Sequence, residues 1–239
     1  MYIQGFIVPV PADKQDAYKD VAEKFWPIAH DNGAIEHVEC WEADVSDGKQ
    51  TDFRRAVKLA DGEKVVFAWV AWPDKATADA SHEKMMSDPR MAEFGDGAQM
   101  PFDGKRMVYG GFEPIFDHGK PAGGYVDGFI APVPNAKREE YRAMAEKAAA
   151  VFMDHGAVRD LEAWGVDVPY GEVTSFPRSV EAEDGESVVF SFVEWPDEQT
   201  RNEGWAKLME DERMKDMQMP FDGKRMFYGG FTPIVAKGR

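Results

Sequence analysis

The hydrophobic pattern changes period in a definite order along the first half of the chain. Tyr2 to Val10 alternates as a strand, with Tyr2, Phe6 and Val10 on one face and Ile3 and Ile7 on the other. From Asp13 the apolar residues Tyr18, Val21, Ala22, Phe25, Ile28 and Ala29 recur at helical spacing, and Gly33 supplies a left-handed stop. Pro27 sits late in this pattern and predicts a kink or an early end, because an interior proline costs up to about 3 kcal/mol. Ile35 to Val45 alternates again. Phe53 to Lys58 and Lys64 to Trp72 then read as two β-rich runs separated by the Asp61-Gly62 turn signal. Asp74 is placed to cap a second helix that must stop before Pro89, and Arg106 to Ile115 reads as a closing strand. The order is β-α-β-β-α-β, the split ferredoxin-like unit.

The whole pattern then occurs a second time. YIQGFIVPVP from Tyr2 is echoed by YVDGFIAPVP from Tyr125, a shift of 123 positions; Trp41 matches Trp164, and FRRAV from Phe53 matches FPRSV from Phe176. QMPFDGKRM from Gln99 reappears unchanged from Gln218, followed in each copy by YGGF. The reading is two repeats, 1–116 and 125–239, joined by the Gly- and Pro-rich stretch 117–124. An antiparallel sheet with both helices on one face leaves its other face bare, and Phe67 and Trp69 alternating with Val66 and Val70 make neither face polar. The fold class expected is therefore α+β, two ferredoxin-like units packed sheet to sheet as an internal pseudo-dimer.

Charge narrows the partners. With 28 Lys and Arg against 44 Asp and Glu, the formal charge is −16, divided evenly between the halves, so a phosphate backbone would be repelled and nucleic acid is not expected. The only cysteine is Cys40, which excludes an internal disulfide. No apolar run approaches the roughly 20 residues of a bilayer span, and MYIQGFIVPVP lacks a basic region followed by an apolar core, so no membrane partner and a cytoplasmic location are expected. The chain is expected to be a monomer that contains its own pseudo-dimer, with higher assembly left open.

The most suggestive polar constellation follows the first helix. Alternation puts Ile35, His37, Glu39, Trp41 and Ala43 on one face and Val38 and Cys40 on the other; Asp160, Glu162 and Trp164 are the second-copy counterparts of His37, Glu39 and Trp41. If the apolar face meets the helices, Glu39 and Glu162 point between the sheets, where Arg55 and Arg178 are the expected partners. On that reading the candidate ligand-binding residues are Glu39, Trp41, Arg55, Glu162, Trp164, Arg178, Tyr2 and Phe6. No catalytic residue is singled out. His37, Glu39, Asp160 and Glu162 offer one imidazole and three carboxylates but no diagnostic metal spacing, and no metal is expected. PFDGKRM lacks the GxxxxGK[ST] pattern, so its Asp-Gly reads as a turn into the last strand rather than a phosphate loop. Gly110-Gly111 and Gly229-Gly230 within that strand suggest a bulge or close approach between the repeats. The thirteen methionines read as flexible core filler, and without CxxCH or a His-Met pairing no haem is expected, nor any other cofactor.

The combination GFIVPVP, VECW, DFRRAV, KMMSDPRM and MPFDGKRMVYGGF resembles the YbaA-like family of bacterial proteins, a domain-of-unknown-function family in the dimeric α+β barrel superfamily. The resemblance covers essentially all of each half, although DLEAW and MEDERMKDM have drifted in the second. It implies a ferredoxin-like subunit that dimerises around a central cavity, here fused, and it implies no reaction, because the superfamily includes cofactor-free monooxygenases, lactone isomerases and haem proteins. The functional expectation is a small-molecule site in the cavity between the repeats. The alternatives are an accessory or interaction protein with a packed interior, or a cofactor-free monooxygenase- or isomerase-like enzyme.

Overall fold

The computed structural model describes residues 1–95, 100–121, 123–215 and 217–239. The first repeat comprises β1 (Tyr2–Pro11), α1 (Gln15–Asp31), β2 (Glu36–Asp44), α2 (Phe53–Ala56), β3 (Glu63–Trp72), α3 (Lys75–Met86) and β4 (Val108–Gly119). The second comprises β5 (Tyr125–Pro134), α4 (Arg138–Asp154), β6 (Arg159–Asp167), α5 (Phe176–Ser179), β7 (Glu186–Trp195), α6 (Glu198–Leu208), α7 (Glu212–Lys215) and β8 (Phe227–Lys237). The expected order is present in both copies, with one correction. Phe53–Ala56 is a short helix rather than a strand, because the Asp52 side chain accepts the Arg55 N–H and caps it. Ser175 does the same for α5.

The eight strands close into one antiparallel barrel in the order β1-β3-β2-β8-β5-β7-β6-β4. The last strand of each repeat pairs on one side with its own first strand and on the other with the opposite repeat, β4 with β6 and β8 with β2. The repeats are thus zipped edge to edge as well as packed face to face, which leaves no open sheet edge. Two ladder irregularities fall at Gly111 and opposite Gly230, in the glycine pairs where a bulge is expected, and two more lie between Glu39 and Cys40 and between Pro114 and Phe116. Because β4 continues to Gly119 against β6, the first residues of the expected linker are strand.

Inside the barrel the packing is reciprocal. Phe67 stacks on its own counterpart Phe190 at 4.6 Å between ring centres, and Trp69 on Phe192 at 4.0 Å. Gly5 and Gly128 make room for this: a Cβ on Gly5 would lie 2.7 Å from the Phe190 ring, and one on Gly128 2.9 Å from Phe67. The short helices add Phe53 against Phe231 and Phe176 against Phe112, each reaching the other repeat's closing strand. One end of the interior is sealed by ions. Arg159 lies over Phe192 and bonds Glu36 and Glu194, while Arg239 lies over Trp69 and bonds Glu194. The space between the sheets is therefore filled core, which corrects the expected cavity between the repeats.

The first helix differs from expectation at Pro27. It runs through that residue to Asp31 and has the same 17-residue length as α4. Ile28 and Ala29, just past the proline, are fully buried and hold the last turn in place despite the missing N–H. The helix ends at Gly33 with φ 104°, and α4 ends at Gly156 with φ 106°, the left-handed stops that the pattern predicts. Among the described residues, no helix is long and apolar enough to cross a membrane.

Candidate functional site

Strand alternation decides which side chains enter the barrel. Val38 and Cys40 of β2, with Leu161 and Ala163 of β6, join the interior, so His37, Glu39, Asp160 and Glu162 face outward beneath α1 and α4. The expected facing is therefore inverted, and Cys40 is not on the helix side. The physical reason is closure: a sealed barrel offers a carboxylate neither water nor an open edge, whereas the layer between helix and sheet has a rim. The buried Cys40 thiol is held well above its usual range and stays protonated.

Under α1 these residues meet a cavity of about 370 Å³. Its walls are apolar: Phe6 and Val8 from β1, Val21 and Phe25 from α1, and Met91, Phe94, Phe102 and Met107 from the segment before β4. Its polar floor is a bonded chain. Tyr18 of α1 donates its hydroxyl to Glu39 at 2.7 Å, and Glu39 meets His37 Nε2 at 2.7 Å through its other oxygen. Burial and the adjacent carboxylate push the Tyr18 hydroxyl well above the phenol range, so it remains an O–H donor. His37 is 1% exposed, its ring set edge-on to Phe25 and parallel to Trp26. Its Nδ1 has no partner among the described residues. In a neutral ring, a carboxylate on Nε2 places the hydrogen there and leaves a lone pair on Nδ1.

The second repeat builds the same frame with a different lining. Tyr141 of α4 donates to Glu162 at 2.6 Å, and Phe221 stands beside Tyr141 as Phe102 stands beside Tyr18. The cavity is smaller, about 280 Å³, and is lined by Met144, Met214, Met217, Met219 and Met226 with Phe152 and Trp205. Trp205 is anchored there because Asp127, in the place of Gln4, accepts its indole N–H at 2.7 Å and is clasped by Arg201. In the place of His37 stands Asp160, 1% exposed, with Oδ1 unpartnered among the described residues. Burial pushes Glu162 up to about 7, and burial together with the Glu162 carboxylate raises Asp160 as well.

Of the predicted site residues, the structure brings Glu39 and Phe6 together in one pocket and Glu162 into the other. Trp41 and Trp164 pack beside Tyr18 and Tyr141 without lining either cavity, Arg138 lying over the Trp164 ring. Tyr2 lies under α3 with Trp72 and Ala78. Arg55 is corrected outright: it is exposed on α2 and bonds Asp52 and the Gln50 carbonyl, not Glu39. Arg178 likewise bonds the Gly171 carbonyl and stacks on Tyr170. Their position on capped helices rather than strands takes both away from the site. The residues missed are Tyr18, which reads only as part of an apolar helical stripe, and its counterpart Tyr141; that both tyrosines recur with the same 123-residue shift as Glu39 and Glu162 is the available signal. Among the described residues, no group of three or more His, Cys, Asp or Glu side chains is placed to hold a metal ion.

A closed barrel of two such units, with helices outside, is the dimeric α+β barrel arrangement, and solved structures share it. A Lactobacillus acidophilus protein described as a "putative monooxygenase" is similar with a TM-score of 0.60 at 13% identity, over 98% of this chain and 94% of that one. An "anthrone oxidase-like protein" is similar with a TM-score of 0.56 at 10% identity, over 99% of this chain and 92% of that one. At such identities the likeness shows the fold alone. The chain belongs to the family described as "Protein of unknown function (DUF1428)", which matches twice, at residues 1–104 and 124–223. It is 59% identical over 116 residues to "Uncharacterized protein YbaA" of Escherichia coli K12, and equally to that of Shigella flexneri, covering 48% of this chain and 97% of each relative.

Proposed function

We propose that the first repeat binds a small, mainly apolar molecule under α1 and that His37 removes a proton from it. The observation that supports this reading best is a buried imidazole, tied at Nε2 to Glu39 and unpartnered at Nδ1, on the wall of an apolar cavity of about 370 Å³. That volume is within the roughly 300–1,000 Å³ of ligand pockets. A ligand with one acidic C–H or O–H beside Nδ1 gives up that proton to the lone pair; the imidazolium formed is stabilised by Glu39, which Tyr18 holds in place. The electron pair stays on the ligand as an enolate or phenolate, and the proton returns by the same route. No cofactor enters this step. The name of one structural neighbour, the "anthrone oxidase-like protein", agrees with a planar aromatic ligand of this type. The same reading keeps the chain cytoplasmic and self-sufficient as one barrel, with no membrane or nucleic-acid partner.

Anthrone, a tricyclic carbon acid, tests it. Expected are saturable binding and accelerated exchange of its methylene protons with deuterated water, followed by NMR. Exchange should fall about 100-fold or more in His37→Ala, the scale of a general base, with binding kept. Exchange that survives in His37→Ala, or no binding at all, removes the proposal.

A further inference from the structure

We infer that Gln4 is the oxyanion donor of the first-repeat cavity, and that the cavity therefore takes a carbonyl carbon acid: a ligand whose acidic C–H lies at His37 and whose conjugated carbonyl oxygen lies at the Gln4 amide. The inference rests on the proton abstraction proposed for His37 and adds the group that receives the displaced charge. Gln4 is on β1 and His37 on β2, and the register of the sheet sets both beside the same residue of β3: Gln4 pairs with Val70, and Val70 with His37. All three line the cavity. Gln4 and His37 are thus two strands apart, about 10 Å between backbones, the span of one ring with a hydrogen bond on each side. The amide is oriented from behind. Trp72 donates its indole N–H to Gln4 Oε1 at 2.8 Å, and because an indole nitrogen only donates, the oxygen end of the amide is fixed and its NH2 is the end left over. Among the described residues no acceptor bonds that NH2. The other donors among the described lining side chains, Tyr18 and His37, are both spent on Glu39.

The second repeat shows that holding the tryptophan does not call for an amide. Trp195, the counterpart of Trp72, donates at 2.9 Å to Asp127, the counterpart of Gln4. Asp127 is a carboxylate clasped by Arg201, and its remaining capacity goes to the Trp205 indole, so this position accepts and has nothing to donate. The base is missing there too, since Asp160 replaces His37. Base and donor are present together in one repeat and absent together in the other. In the step itself the C–H proton passes to His37 Nδ1, the C–H electron pair enters the conjugated system, and the carbonyl π pair moves onto oxygen. The Gln4 N–H bond to that oxygen strengthens as its charge grows, with no proton transferred from the amide. Return of the proton to carbon reverses each movement, and no other reactant is consumed.

Anthrone labelled with carbon-13 at its carbonyl is the probe, bound to the full chain and read by infrared spectroscopy and by methylene exchange. The carbonyl stretch of bound anthrone should lie lower in the parent and in His37→Ala than in Gln4→Leu, because only the first two keep the amide bond to oxygen. Exchange should slow about 100-fold in Gln4→Leu, the scale of a lost oxyanion donor, while anthrone affinity falls no more than about tenfold. The same frame without the oxygen, 9,10-dihydroanthracene, should bind the parent and Gln4→Leu alike. Gln4→Glu keeps an acceptor for the Trp72 indole and removes the donor, so it should slow exchange as Gln4→Leu does with the unfolding curve of the parent. A role for Gln4 in anchoring Trp72 alone predicts that Gln4→Glu exchanges like the parent. Exchange that depends on His37 but not on Gln4, with an unshifted carbonyl, overturns this inference and leaves the His37 reading standing. A Gln4-dependent carbonyl shift with exchange indifferent to His37→Ala removes the His37 reading and reduces Gln4 to a binding group, and absence of anthrone binding overturns both.

Discussion

The two pockets share a frame, and their sharpest chemical difference is one side chain. Both are framed by a tyrosine from the long helix bonded to a glutamate on the adjacent strand, at 2.7 Å in the first repeat and 2.6 Å in the second. Both lie over the same barrel. At the remaining position one copy carries His37 and the other Asp160, and this reverses the electrostatics: a base backed by its counterion becomes two acids competing for one proton. The aromatic middle of the barrel interior shows no such divergence, because Phe67 and Phe190, and Trp69 and Phe192, are each other's packing partners; only at its ion-sealed end does Arg159 stand where the first repeat has Glu36. Reciprocal contacts constrain both copies at once, whereas each pocket is lined by its own repeat and is free to differ.

The largest expected difference comes from deleting the two glutamates. Glu39→Leu strands both the Tyr18 hydroxyl and His37 Nε2 in a buried site and should cost about 3 kcal/mol by urea unfolding at neutral pH. Glu162→Leu strands the Tyr141 and Ser191 hydroxyls but relieves the charge beside Asp160, so a smaller cost of about 1–2 kcal/mol is expected. Equal costs would mean that the pockets are electrostatically alike and would dissolve the comparison.

A pH series sharpens it. Glu162 rises to about 7 in the fold from an ordinary carboxylate value, so the native state holds its proton more tightly than the unfolded chain does. The associated stability is fully present at acid pH, below the unfolded value, and is lost as pH rises through about 7. Asp160 is raised in the same direction, by burial and by the Glu162 carboxylate. Discounted for the partial exposure of Glu162, the loss should be about 2 kcal/mol between about pH 5 and about pH 8. It is read as the difference between the parent and the Asp160→Asn/Glu162→Gln double variant, which lacks both titrating groups. A difference that does not change with pH would show that the pair is ionised and solvated.

Much of this was legible in the chain and part of it was not, for physical reasons that differ by residue. Alternation located His37, Glu39, Asp160 and Glu162 on one face of their strands, and the repeat announced a sheet that needed covering. Alternation alone does not say which face is inside. Val38 and Cys40 suit a helix layer as well as a barrel interior, and only the β4–β6 and β8–β2 pairings, which join residues far apart in sequence, seal the barrel and send the carboxylates outward. Arg55 was misplaced because FRRAV has the composition of a strand, while the determinant of its structure is the Asp52 cap just before it. Tyr18 escaped because a tyrosine in an apolar stripe looks the same whether its hydroxyl reaches water or a buried acid.

The smallest expected effect is the one on which the repeats should agree. Gly33 and Gly156 close α1 and α4 at φ 104° and 106°, and a Cβ would lie 2.8 Å from the Thr77 methyl in one case and 2.9 Å from that of Thr200 in the other. Neither glycine lines a pocket, and each sits in a turn whose backbone bonds run back to the last helical turn: Gly33 N–H to the His30 carbonyl at 3.0 Å, Gly156 N–H to that of Met153 at 3.1 Å. An alanine at either place must adopt the left-handed region and displace a methyl group, at about 1–2 kcal/mol. The two substitutions should therefore destabilise equally, within about 0.5 kcal/mol, and add in the double variant because the sites share no partner. If Gly33→Ala were tolerated and Gly156→Ala were not, the divergence between repeats would extend from the pocket chemistry to the backbone frame. In that case the contrast between His37 and Asp160 could no longer be read as a single-residue change.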